Sequence, residues 1–125
     1  MNKYHAQKIT VDGQTFDSKK EYARWCELKL LERAGKISGL RRQVCFELIP
    51  AQYETVERYG KRGRLPDGKK CVEHAVNYVA DFVYTENGKM VVEDVKGCKA
   101  RNAYYIYSLK RKMMRYIKGI AVREV

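Results

Sequence analysis

The chain has 125 residues, 45% hydrophobic and 33% charged, a size and balance that suit one domain around a single core. Its 26 Lys and Arg against 15 Asp and Glu leave a formal charge of +11, which favours a polyanionic partner, nucleic acid before a membrane surface. No apolar run approaches membrane-spanning length and MNKYHAQKITVDG lacks the apolar centre of a signal peptide, so no membrane association and a cytoplasmic location are expected.

The first strong element opens with FDSKKE. Ser18 and Glu21 have capping-box spacing, Tyr22, Trp25, Cys26, Leu28 and Leu31 supply an apolar face, and Gly35 offers a stop. Together they predict a helix over 18–34. LRRQVCFELIP (40–50) reads as a strand ended by its proline. ERYGKRGRLPDGKK (57–70), with its glycines, proline and six basic residues, predicts an exposed basic loop. CVEHAVNYVADFVY (71–84) and MVVEDVKG (90–97) flank TENGK and predict a hairpin with Asn87-Gly88 in a type I′ turn. A second helix is predicted over 100–118 with Gly119 as its stop, then a short last strand in IAVREV. The order α-β-β-β-α-β predicts an α/β fold, a central mixed sheet flanked by helices, in a single domain over 1–125. Cys26, Cys45, Cys71 and Cys98 are scattered without a CxxC and are expected to be reduced thiols in small apolar sites, not zinc ligands.

VVEDVKG (91–97) is an apolar ribbon interrupted by acids and an amine. With a two-residue turn at Asn87-Gly88, Asp81 falls directly opposite Asp94, and Lys96 projects from the same face, among Val79, Val83 and Val92. Glu93 points to the other face, beside Phe82. Opposed carboxylates repel and destabilise a sheet unless something offsets them. Mg²⁺ or Mn²⁺ would do so with oxygen ligands; a shared proton or the Lys96 ammonium would also serve. A plain salt-bridge cluster, in which Lys96 neutralises two surface aspartates, explains the same residues.

Asp81, followed across a hairpin by Asp94-Val95-Lys96, resembles the PD-(D/E)XK nuclease signature, with Glu21 of FDSKKE standing where that pattern often has a helical acid. The predicted order of elements is also that superfamily's restriction-endonuclease-like core. FDSKKEY, ELKLLERAGKI, YVADFVY, GKMVVEDVKG and YSLKRKMM look like a small family of phage and prophage proteins, similar to Holliday-junction-resolvase-type and restriction-type endonucleases. The likeness spans about 11–125 except the basic loop, and Ala80 stands where the signature has proline. The resemblance implies a metal-dependent DNA endonuclease in a bacterial or phage-infected cell. It implies Asp81 and Asp94 as Mg²⁺ or Mn²⁺ ligands, Glu21 as an auxiliary ligand or water holder, and Lys96 acting on the attacking water. On the residues alone, Glu21 could equally do no more than close the capping box with Ser18.

The second predicted helix carries Lys99, Arg101, Lys110, Arg111, Lys112, Arg115 and Lys118 with no acid among them, while Tyr104, Leu109, Met113 and Tyr116 or Ile117 are expected to be its buried face. A single-sign face points to phosphate contact, with Lys110 and Arg111 the preferred members. Lys61, Arg62, Arg64, Lys69 and Lys70 would form a second clamp, and Arg41, Arg42 and Gln43 are further candidates. No feature promises base readout, so structure- or backbone-directed binding of double-stranded or branched DNA is expected. Cutting a junction would need two sites and hence a homodimer. The readings against this are a non-catalytic nucleic-acid-binding protein that keeps the fold, and an RNA-associated basic domain. The latter explains the charge but not the paired aspartates.

Overall fold

A computed structural model of the chain describes residues 8–96 and 101–125. Gly97, Cys98, Lys99 and the predicted helix start at Ala100 lie outside the described residues. The fold is α/β. A four-stranded mixed sheet has the order β3-β6-β7-β8, built from β3 (Ser38–Ile49), β6 (Val76–Glu86), β7 (Lys89–Asp94) and β8 (Arg123–Glu124). The first three are antiparallel neighbours, and β8 runs parallel to β7 after the crossover through α2 (Arg101–Met113). A small hairpin, β1 (Ile9–Val11) and β2 (Gln14–Phe16), precedes α1 (Lys19–Arg33) and has no counterpart in the predicted order.

The Asn87-Gly88 turn sets the β6–β7 register as predicted, with Glu86 facing Lys89 and Phe82 facing Glu93 and no bulge between them. Both turn residues have positive φ, 53° and 76°, which a type I′ turn requires. The predicted basic loop, by contrast, is a ribbon: β4 (Gln52–Gly60) pairs with β5 (Gly63–Glu73) along its length. Gln52 faces Glu73 just as Ile49 faces Val76, so the β3–β6 hairpin continues past Pro50, with register shifts on either side, between Glu47 and Ile49 and between Gln52 and Tyr53. Low strand propensity in GKRGRLPDGKK is overridden because its two flanks are already paired.

One face of the sheet buries Leu48, Tyr78, Ala80, Val83 and Val92 against Tyr107 and Met114 of the C-terminal helical segment. The other buries Phe82, Tyr84 and Val95 against Leu28 of α1 and Ile37. Trp25 stacks on Phe82 at 6.0 Å. Glu93 is fully buried on the α1 side, where strand parity put it. Arg24 of α1 donates to both its oxygens, at 2.9 and 2.7 Å, and the Tyr84 hydroxyl donates to it as well. Burial, then the hydrogen bond to Glu93, pushes the Tyr84 hydroxyl up to about 12.

Each helix buries only part of the face its apolar residues suggested: in α1, Leu28 is buried and Tyr22, Trp25 and Cys26 half-buried as expected. In α1 the buried side is Glu21, Arg24, Trp25 and Leu28, while Leu31 is exposed, because two of those positions carry charges with partners on the sheet. In the second helix Tyr107 and Met114 are buried and Met113 packs partly buried against them, while Tyr104, Leu109, Tyr116 and Ile117 are exposed. A single wider π turn over 114–118 rotates the last residues before Gly119 closes the segment at φ 69°. Cys26, Cys45 and Cys71 are free thiols, but Cys45 and Cys71 are exposed, not packed in apolar sites. Among the described residues no helix is long and apolar enough to cross a membrane.

Removing one partner of a buried ion pair strands the other charge. Arg24→Ala is therefore expected to cost about 2–4 kcal/mol, read as a lower urea midpoint at unchanged slope.

Candidate active site

The neighbouring strands β3 and β6 both change faces part-way along. On β3, Val44, Phe46 and Leu48 pack toward the second helix, but Leu40 packs toward α1 and the Arg42 guanidinium lies 3.8 Å from the Phe16 ring centroid. On β6, Tyr78 and Ala80 face the second helix, yet Phe82, also an even position, faces α1. The residues at the switch are Gln43, held at φ 51°, and Asp81, which the unbroken register between Arg42↔Phe82 and Val44↔Ala80 sets opposite it. The switch also takes Val79, expected beside the acids, to an exposed position 46% accessible.

Three acids meet at this switch. Asp81 Oδ2 accepts the Val95 N–H at 2.7 Å, just past the last paired residues of the β6–β7 ladder. Its carboxyl is close enough to that of Asp94 to share a hydrogen bond. Gln43 Nε2 donates to Glu21 Oε1 at 3.1 Å and reaches Asp81 Oδ1 at 3.4 Å, so one amide ties the helix acid to the strand acid. Glu21 is 2% and Asp94 4% exposed, which is rare for carboxylates and expensive without compensation. Burial raises both Glu21 and Asp81, and for Asp81 the nearby charges of Asp94 and Glu21 add to it, bringing it to about 7. The acids destabilise one another when ionised together.

Glu21 does more than close a capping box. Ser18 Oγ accepts the Glu21 N–H at 3.0 Å, the forward half of that motif. The return bond goes instead from the Asp17 N–H to Glu21 Oε2, at 3.0 Å, which leaves Oε1 turned toward Gln43.

Lys96 lies at the far end of the same ribbon. Its Nζ is 3.4 Å from the Tyr107 ring centroid and 3.7 Å from Glu124 Oε2. The main chain around it is fixed from two sides: its N–H donates to the Val125 carbonyl at 2.7 Å, and Lys20 Nζ donates to its carbonyl at 2.6 Å. Glu124 also accepts from Tyr107 and Arg111, and the Arg111 hydrogen bond holds its carboxyl below the usual range. Sequence reasoning missed Glu124 and named Gln43 only as a phosphate contact. The signal for Glu124 was its place in the last strand, which β8 registers against Asp94.

The phosphate-contact candidates divide. Lys61, Arg62 and Arg41 are exposed, and Lys110 is partly so. Arg42 is not available: its guanidinium packs on Phe16, donates to the Thr15 carbonyl at 2.8 Å and lies 3.8 Å from Glu21. Arg111 is drawn to Glu124, and Arg64 to Asp67 at 2.7 Å.

The family model described as "Protein of unknown function (DUF1064)" matches residues 1–123. The chain belongs to this family. No curated protein and no solved structure matches it. The acid cluster of this DUF1064 chain therefore has to be judged on its own geometry. Among the described residues no three His, Cys, Asp or Glu side chains form a ready metal cage. A hard cation that keeps most of its waters does not need one, since one or two carboxylates are its usual protein ligands. Asp81 and Asp94 fit that requirement: both are oxygen donors, they are adjacent, and they repel when no cation lies between them.

A folded-state carboxyl raised above its unfolded value adds stability below the unfolded pKa, and that stability is lost as pH rises through the folded one. Asp81 therefore makes the metal-free protein lose stability between roughly pH 4 and about 7. Thermal unfolding in EDTA is expected to show this fall, and Asp81→Asn to flatten it and raise the midpoint at pH 8 by an amount worth about 1–2 kcal/mol.

Proposed function

We propose that this protein is a divalent-metal-dependent endonuclease of PD-(D/E)XK type acting on DNA, with a restriction-endonuclease-like core. The observation that carries the reading is the half-buried Asp81 beside the buried Asp94 where β6 and β7 part, joined through Gln43 to a third acid on α1, with a lysine two residues on. Sheet order β3-β6-β7-β8, with β7 and β8 parallel across a helix, agrees with that core. The charge of +11 suits a nucleic-acid substrate.

In this reading Asp81 and Asp94 hold Mg²⁺ or Mn²⁺, and Glu21 holds a water or serves as a further ligand. When bound, the cation would polarise the scissile phosphate and acidify a water. Asp81 keeps its position by accepting the Val95 N–H, and Gln43 keeps Glu21 turned toward it. Lys96 orients the attacking water or stabilises charge on the phosphate, its backbone pinned by Val125 and Lys20. Lys110 and Arg41 contact the backbone of double-stranded or branched DNA, and paired cuts at a junction would come from a homodimer. Glu93 has no part, since both its oxygens are taken by Arg24.

The test is incubation of linear, nicked, flapped and four-way DNA with Mg²⁺, Mn²⁺ or EDTA. Cleavage is expected only with metal. Asp81→Asn and Lys96→Ala are expected to lower its rate at least about 100-fold while DNA binding persists. Glu27→Gln, on the exposed side of α1, should leave the rate within about twofold. Binding without cleavage in the wild-type protein would favour the non-catalytic reading, and cleavage surviving both substitutions would reject the site.

A further inference from the structure

The β4–β5 ribbon has no core of its own. Of β4 only Val56, and of β5 only Gly68, is even partly covered, and both faces are otherwise exposed. Its main contacts among the described residues are between its own two strands. Isolated two-stranded ribbons are marginal in water, so a ribbon of this length is not kept for what it adds to the fold.

The side chains on it indicate what covers it. Lys61 and Arg62 form the turn between Gly60 and Gly63, so the tip is narrow and carries two cations. The acids nearest the tip are engaged: Asp67 pairs with Arg64, and Glu57 accepts from the Tyr59 hydroxyl. Arg58, Lys61, Arg62 and Lys69 have no acidic partner among the described residues. Arg58 runs flat across Gly68, where a Cβ would come within 2.6 Å of its Cδ, so the glycine keeps that face thin. Tyr53 and Tyr59 are 59% and 68% exposed. A second copy of the ribbon would set like charge against like, whereas a polyanion would not.

We propose that the β4–β5 ribbon is an arm that lies in the major groove of duplex DNA and supplies affinity independently of the acid cluster. This rests on the DNA-directed reading above but not on catalysis. A pair of strands is narrow enough for the major groove, about 12 Å wide, and nine residues of β4 extend about 30 Å, close to one turn of the duplex. Lys61, Arg62 and Lys69 meet phosphates, and Arg58 faces the groove floor. Because β4 and β5 prolong β3 and β6 beyond the bulges at the junction, the arm is joined directly to the strand that carries Asp81.

The experiment is fluorescence anisotropy of the full chain with a labelled duplex of about 30 base pairs, in EDTA, over roughly 50–200 mM KCl. Two variants are compared: Lys61→Ser with Arg62→Ser, and a shortened arm in which 57–67 are replaced by Asn-Gly. The double substitution is expected to weaken binding about tenfold and lower the salt slope by about 2, and the shortened arm to do more. The wild type is expected to bind duplex RNA more weakly, since the narrow A-form major groove cannot admit a ribbon. Wild-type affinity and slope in both variants, with unchanged unfolding midpoints, would overturn the proposal, as would equal affinity for duplex RNA or a single strand. Failure of the nuclease reading would show separately, as absence of chelator-sensitive cleavage, and would leave these binding results standing.

Discussion

Carboxylates drawn together, two of them buried and one half-buried, where two paired strands change faces are the constraint around which this fold is arranged. Asp81 and Asp94 come together because the Asn87-Gly88 turn fixes the register, and Glu21 joins them because the cap of α1 directs one of its oxygens inward. Such a cluster costs stability that a sheet of this size could have saved with leucine or valine. The same sheet does hold a charge inexpensively elsewhere: Glu93, one residue away, is equally buried but fully satisfied by Arg24 and Tyr84. Neighbouring acids thus differ in what they face: Glu93 meets an arginine and a tyrosine, whereas Asp94 has a second carboxyl among its neighbours.

The two sides of the sheet divide the labour. The α1 side carries the Glu93 ion pair and the aromatic layer of Phe16, Trp25 and Phe82. The opposite side brings Tyr107, Glu124 and Arg111 around Lys96. The positions of Asp94 and Lys96 thus depend on the last strand, whose Val125 brackets them by accepting from Lys96 and donating to the Asp94 carbonyl. Chain ends that are distant in sequence close the site from both flanks.

Much of this was legible in the residues, because local chemistry decided it. A two-residue Asn-Gly turn leaves one register, and from it the opposition of Asp81 and Asp94 and the placement of Glu93 on the other face of the sheet follow by parity. The α1 cap was legible for the same reason. What failed depended on distant partners. Gln43 in a left-handed conformation has no sequence signature; it is held there by carboxylates on two other elements. Arg42 looked like a surface cation because the aromatic pair it covers lies on β2 and α1. The basic segment was read as a loop from its composition, whereas pairing propagated from β3 and β6 makes it a ribbon. Of the face expected to be buried in the second helix only Met113 packs inward, because most of its apolar residues stay outside.

The most direct test is a crystal of the wild-type protein soaked in Mn²⁺, with anomalous differences collected at the manganese edge. A peak within coordination distance of both Asp81 and Asp94 is the expected result. Full occupancy elsewhere with none there, or the two carboxyls turned to opposite faces of the sheet, would contradict it.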